Sequence, residues 1–440
     1  MYQTFFVRTF GCQMNVHDSE RLAGVLHEQG LAPTASPDDA DIIVVNTCAV
    51  RQKAVDKVLS ELGRYRKIKE LRPEMLLVVA GCVSQEMGKR LLKAAPFVDI
   101  VMGPDALPRL WTNISARAGG NGPVIDTELE DSYRSEKDRV IVRGSPFQAW
   151  LPIMEGCDNY CSYCIVPYVR GRERSRPADD IIEQARALVA SGVLEITLLG
   201  QNVNSYQGGS GQCIAGFPDL LRALDAVPGL RRLRFVTSHP KDLSPALIRA
   251  MADCPSVCES LHLPFQSGSN SVLERMRRGY TREQYLHLIA ALRREVPGIA
   301  LSADIIVGFP GETEDDFLRT LGIVEQVRFH NLFSFWYSVR KGTEAALWGN
   351  PVPLEVKRER LLRLNAMQNQ ISADLRQEFV GSTQEILVED EGKRGGGVLT
   401  GRTRGHIVVN VPGPAEWIGT FVNVLIEDST VNCLYGRAAS

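Results

Sequence analysis

Cys157, Cys161 and Cys164 stand in one short loop, Gly156-Cys157-Asp158-Asn159-Tyr160-Cys161-Ser162-Tyr163-Cys164. Three thiolates this close together converge on one soft metal centre. They do not close a four-coordinate structural zinc site without a fourth ligand, and no other Cys or His lies between Ile141 and Pro177. The spacing therefore points to a 4Fe–4S cluster held through three irons, with the fourth iron open to a small molecule. The bland alternatives are an incomplete zinc knuckle or three buried thiols.

A second set is dispersed. Phe5–Thr9, Asp41–Asn46 and Met75–Ala80 read as apolar strands, separated by helical stretches at Asp18–Gln29 and Arg51–Leu71 and followed by one at Gln85–Ala94. Continuous apolar strands alternating with helices predict a parallel sheet covered on both faces. Cys12, Cys48 and Cys82 each fall just beyond the carboxyl end of one of these strands, the edge where ligands gather in open α/β sheets. The expectation is a second three-cysteine cluster, against the plainer reading of Cys as a small buried hydrophobe.

A chain of 440 residues exceeds one ordinary core. The expected division is an open parallel-sheet domain over 1–118, a glycine-rich then acidic linker over 119–140, and a partial (β/α)6 barrel over 141–375. A small β-barrel over 376–440 completes it. The central strands are expected at Ala149–Met154, Glu195–Leu199, Arg232–Thr237, Glu259–Leu263, Ile299–Ile306 and Leu332–Trp336, with the cysteine loop after the first, at the face where barrel active sites lie. Val356–Phe379 reads as a long amphipathic helix packing on that barrel. Five short β runs in the tail predict a closed barrel of the oligonucleotide-binding kind.

Ten cysteines without a secretion signal indicate metal chemistry rather than a disulfide framework, and a cytoplasmic protein. No run approaches the roughly 18 apolar residues that cross a bilayer. Net charge is −2, so bulk electrostatics do not announce a nucleic-acid binder. Three local clusters are candidates for a phosphate-binding surface: Arg170, Arg172, Arg174 and Arg176; Arg231, Arg232 and Arg234; and Lys393, Arg394, Arg402 and Arg404. Cys254 and Cys258 read as structural, Cys213 and Cys433 as ordinary thiols. His239 and His262 sit at strand ends facing the presumed site and read as satisfied structural histidines.

Several motifs resemble the methylthiotransferase family of radical S-adenosylmethionine (SAM) enzymes: Gly11-Cys12-Gln13-Met14-Asn15, Asn46-Thr47-Cys48-Ala49-Val50-Arg51, Ala80-Gly81-Cys82, Glu155–Arg176, Thr237-Ser238-His239-Pro240, Leu261-His262-Leu263-Pro264 and Ile306–Glu312. The resemblance spans the chain and implies an amino-terminal methylthiotransferase domain, a radical SAM core and a TRAM RNA-binding barrel. It implies two 4Fe–4S clusters, at Cys12, Cys48, Cys82 and at Cys157, Cys161, Cys164. SAM contacts are implied at Gln201, Ser238, Gln266 and Gly308, with no catalytic residue beyond the cluster ligands. Gln13-Met14-Asn15 and Ile165–Ser175 resemble the branch that adds a methylthio group to C2 of N6-dimethylallyladenosine beside the tRNA anticodon. Sister branches act on threonylcarbamoyl adenosine or on a ribosomal protein. The implied partners are tRNA and an electron donor such as flavodoxin or ferredoxin, and the implied state is a monomer. An iron–sulfur electron carrier needs no SAM pocket, and a pure RNA-binding module needs no open clusters.

Overall fold

A computed structural model describes residues 2–49, 52–120, 122–133, 141–208, 214–349, 351–392 and 396–439. Cys213, Lys393 and Arg394 lie outside the described residues. The first sheet has six parallel strands: β1 (Thr4–Thr9), β2 (Ala32–Pro33), β3 (Ile42–Thr47), β4 (Leu76–Gly81), β5 (Ile100–Met102) and β6 (Val124–Asp126), in the order β2-β1-β3-β4-β5-β6. β3 and β4 are buried at every position, as their unbroken Ile-Ile-Val-Val and Leu-Leu-Val-Val runs require. One face packs on Leu22, Leu26, Leu110 and Ile114, the other on Val58, Leu62, Tyr65 and Leu91. β6 corrects the expected linker over 119–140. Val124–Asp126 hydrogen-bonds in register to β5 and so belongs to the first sheet. Three residues are too few to show periodicity between the flanking glycines and acidic residues.

Eight further strands build the middle of the chain: β7 (Gln148–Pro152), β8 (Met154–Glu155), β9 (Arg174–Ser175), β10 (Glu195–Leu199), β11 (Arg232–Phe235), β12 (Ser260–His262), β13 (Ala300–Val307) and β14 (Asn331–Trp336). β11-β10-β7 and β12-β13-β14 are two parallel sheets, linked by a parallel bridge from Leu233 to Val257, just ahead of β12. β8 and β9 form a separate antiparallel ribbon that flanks the cysteine loop. The six parallel strands form an open half-barrel, with helices packed outside through a continuous core that includes Leu198, Leu261, Leu301, Ile305 and Phe317. Each such fully buried apolar side chain contributes about 1.5–3 kcal/mol. The long helix Leu354–Gln377 joins that core through Leu364 and Ile371.

The tail closes into a barrel of β15 (Thr383–Glu391), β16 (Val398–Thr403), β17 (Val408–Pro412), β18 (Phe421–Ser429) and β19 (Leu434–Ala438), in the order β15-β16-β17-β19-β18. It is seated against the amino-terminal ends of the half-barrel strands by a buried network. Arg232 donates to the Arg402 and Glu385 carbonyls at 2.8 and 3.0 Å. Arg234 donates to the Arg404 and Thr403 carbonyls at 2.7 and 2.8 Å and to Glu195 at 2.9 Å. Arg404 pairs with Glu259.

This network overturns the expected phosphate surface. Arg170, Arg174, Arg176, Arg232 and Arg234 are buried, and each donates from its terminal guanidinium nitrogens or Nε to protein acceptors, although Nε of Arg174, Arg176 and Arg232 is left without a partner. Arg174 pairs with Asp105. Among the described members of those clusters, Arg172 (79% exposed) and Arg231 (54% exposed) present most of their side chains to solvent.

Candidate functional site

The dispersed cysteines meet because β1, β3 and β4 are neighbours ending at one edge, with Thr9 opposite Asn46 and Thr47 opposite Gly81. Three polar residues tie the loops together. Asn15 donates from Nδ2 to the Thr47 carbonyl at 3.2 Å and accepts from the Cys12 N–H at 3.3 Å. Asn46 donates to the Asn15 carbonyl at 2.8 Å, and Thr47 donates to the Ala80 carbonyl at 2.6 Å. Two glycines allow the close approach. A Cβ on Gly11 would come within 2.7 Å of the Cys48 Cβ. One on Gly81, whose φ is +92°, would come within 2.5 Å of the Thr47 carbonyl oxygen. A hydrogen bond with Cys48 draws the Cys12 thiol down to about 6, while burial pushes Cys82 up.

The contiguous loop has its own supports. Gly156, at φ +79°, donates its N–H to Gln201 Oε1 at 2.5 Å. The Cys157 N–H reaches the Gly171 carbonyl at 3.2 Å, and Ser162 donates to the Arg275 carbonyl at 2.7 Å. Tyr163 meets Phe309 edge-on at 6.3 Å. Burial and the neighbouring Cys161 push Cys164 up to about 12.

Each set also carries a buried arginine. Arg170 donates to Asp18 at 2.6 Å and hydrogen-bonds Cys82. Arg278 donates to Cys161 Sγ at 3.4 Å and to the Pro264 carbonyl at 2.9 Å. Sequence reasoning missed Arg278, which stands in a plain Arg277-Arg278 pair. Buried guanidinium beside thiolate sulfur offsets the negative charge that three thiolates bring to a cluster. The two sets face one another, for Ala49 and Cys82 from the first pack with Ile165 and Val169 just after Cys164. Among the described residues, no three His, Cys, Asp or Glu side chains stand in metal-holding geometry, so the loops gather the thiols at common edges without placing them at coordination distance.

Gln201, Ser238, Gln266 and Gly308 follow β10, β11, β12 and β13, and so share the carboxyl rim beside the cysteine loop. Gln201 positions that loop through Gly156. Ser238 Oγ and Gln266 Oε1 are buried without a hydrogen-bond partner, as are Asn202 Oδ1 and His239 Nε2. Orphaned buried polar atoms are rare in native proteins and point to a missing partner. A rim of this kind fits a polar small molecule, and three thiols beside it fit an iron–sulfur cluster with an open iron. Gly308, at φ +68°, donates to Glu312 Oε1 at 2.8 Å, and Arg360 holds Glu312 at 2.6 Å. Cys254 and Cys258 are buried and their thiols pushed up by burial, Cys254 to about 11, which fits their structural reading.

Three family models match successive parts of the chain. Residues 4–103 match the uncharacterized protein family UPF0004, 151–323 the radical SAM superfamily and 377–439 the TRAM domain. Fold and site thus define a radical SAM enzyme with an added cysteine-bearing sheet domain and a TRAM barrel. A solved radical SAM methyltransferase, TsrM from Kitasatospora setae, shares the fold at TM-score 0.55 and 17% identity, covering 79% of this chain and 74% of that one. A tRNA-2-methylthio-N(6)-dimethylallyladenosine synthase of Acetivibrio thermocellus is 47% identical over 96% of this chain and 88% of its own length. The synthase of the same name from Geobacter metallireducens is 47% identical over 99% and 98%. The chain belongs to the family of tRNA-2-methylthio-N(6)-dimethylallyladenosine synthases.

Proposed function

We propose that this protein adds a methylthio group to C2 of N6-dimethylallyladenosine in tRNA, with Cys157, Cys161 and Cys164 holding one 4Fe–4S cluster and Cys12, Cys48 and Cys82 the other. The observation that carries the reading is the meeting of the two cysteine sets across the Ala49, Cys82, Ile165 and Val169 contact, in a member of this family. The clusters and SAM, when bound, supply homolytic activation of an otherwise inert aromatic C–H bond and the methylthio group itself. The chain's part is placement. Gln201 fixes the loop before Cys157, Arg278 and Arg170 balance charge at the two sets, and Ser238 and Gln266 offer buried polar atoms to SAM. The apolar contact of Ala49, Cys82 and Val83 with Ile165 and Val169 keeps water from the meeting point. The TRAM barrel binds RNA, and the target base leaves its stack to reach the rim. An electron donor of the flavodoxin or ferredoxin class completes the reaction, and the protein acts as a monomer. Among the described residues no helix is long and apolar enough to cross a membrane.

Nucleoside mass spectrometry of tRNA from a deletion strain tests the assignment. Loss of the 2-methylthio group with the dimethylallyl group retained is the expected result. Unchanged tRNA alongside an unmodified ribosomal protein would move the chain to a sister branch.

A further inference from the structure

We infer that Phe333, with His262 and Asp304, forms the seat for the prenylated adenine on the inner face of the half-barrel. This rests on the function proposed above and adds which residues of the chain recognise the base. Strand alternation separates the two faces of β12 and β13. Leu261, Leu301, Ala303 and Ile305 enter the core beneath the outer helices. His262, Ser302 and Asp304 therefore point inward. His262 Nδ1 lies 2.9 Å from Ser302 Oγ and its Nε2 3.7 Å from Asp304, so the imidazole is held between neighbours on this face. Phe333 of β14 is in register with Asp304 and meets the His262 ring edge-on at 5.8 Å.

The inner face is reachable at this depth, since Phe333 is 48% exposed and the Asp304 side chain 33% exposed. A large apolar ring left half in solvent on a concave wall, beside a histidine and a carboxylate, suits a ligand with an apolar body and a polar edge. An adenine bearing a dimethylallyl group is such a ligand, and aromatic faces accept bases by stacking. The surface also leads to the chemistry. Two residues beyond Asp304, roughly 7 Å along the strand, Ile306 packs in the same small cluster as Tyr163 of the cysteine loop. Below, the TRAM barrel closes the other end of the half-barrel through Arg404 and Glu259.

The test is equilibrium binding of labelled anticodon stem-loops, prenylated and unmodified, to the cluster-loaded full-length enzyme with SAM present, in the parent protein, Phe333→Ala and Phe333→Leu. The parent should prefer the prenylated RNA. Phe333→Ala should lose about tenfold of that preference, the range in which apolar pockets discriminate, while Phe333→Leu, still apolar, should lose less than about threefold. The ratio of two affinities in one protein is insensitive to a partly folded fraction, and iron per chain reports whether each variant is assembled. The same preference in Phe333→Ala as in the parent overturns the seat alone, leaving the enzyme's function standing. A parent that binds both RNAs equally overturns the seat and counts against the prenylated substrate as well.

Discussion

Replacing Arg234 by Met should unfasten the TRAM barrel. Arg234 is buried and spends its guanidinium on three acceptors, of which Glu195 lies in its own domain and the Thr403 and Arg404 carbonyls lie in the barrel. Undocking breaks only the last two. A hydrogen bond from a charged donor contributes about 1.5–3 kcal/mol, so the pair contributes about 3 kcal/mol at the low end. That is about a hundredfold in the docked-to-undocked ratio. Proteolytic release of the barrel at the 377–382 junction follows the undocked population when reclosing outpaces cleavage, and should speed up by a similar factor. The substitution also strands Glu195, which is 4% exposed and keeps only its bond from Gln148. The double change Arg234→Met with Glu195→Gln should therefore recover thermal stability while barrel release stays fast. Less than a threefold change in release in either variant would mean that the arginines do not clamp the two domains.

Two other outcomes are expected. Gly156→Ala should cut reconstituted iron from about eight to about four per chain, because its Cβ would collide with the Arg172 carbonyl and come within 2.7 Å of the Gly171 carbonyl oxygen; full iron would refute the steric reading of the loop. His330 is held down at about 4, first by burial and then by Arg376 and Arg293, and its Nδ1 accepts the Leu301 N–H. Between pH 6.5 and 4 the unfolded chain binds a proton there that the folded chain does not, so stability falls with pH by about 3 kcal/mol. Urea titrations of His330→Gln should lack that part of the acid loss, and identical pH slopes in both proteins would contradict it.

The placement of the cysteines was legible, because a short loop fixes its own spacing and because strand ends can be located from apolar runs. The arginines were not. A cluster such as Arg232 and Arg234 looks the same in sequence whether it meets phosphate or Glu195 and Glu385, and those carboxylates lie 39 and 153 residues away. Arg278 was invisible for the same reason, since its partner Cys161 is 117 residues distant. β6 was lost to shortness. Three residues on an edge gain their structure from β5 and carry too little pattern of their own. Phe333 reads as one more strand aromatic until the register with Asp304 shows which face it occupies.

Gly81 and Gly156 shape the backbone before Cys82 and Cys157 by sterics and hydrogen bonds that involve no metal. In small zinc-folded domains, losing the ion dissolves the scaffold. Here the cysteine-bearing turns are braced by Asn15, Asn46, Thr47 and Gln201, and each rests on a large apolar core. If the cysteines hold iron as proposed, its oxidative loss leaves the backbone of these turns in place, so that reloading with fresh iron and sulfide requires side-chain adjustment and not refolding of the domains.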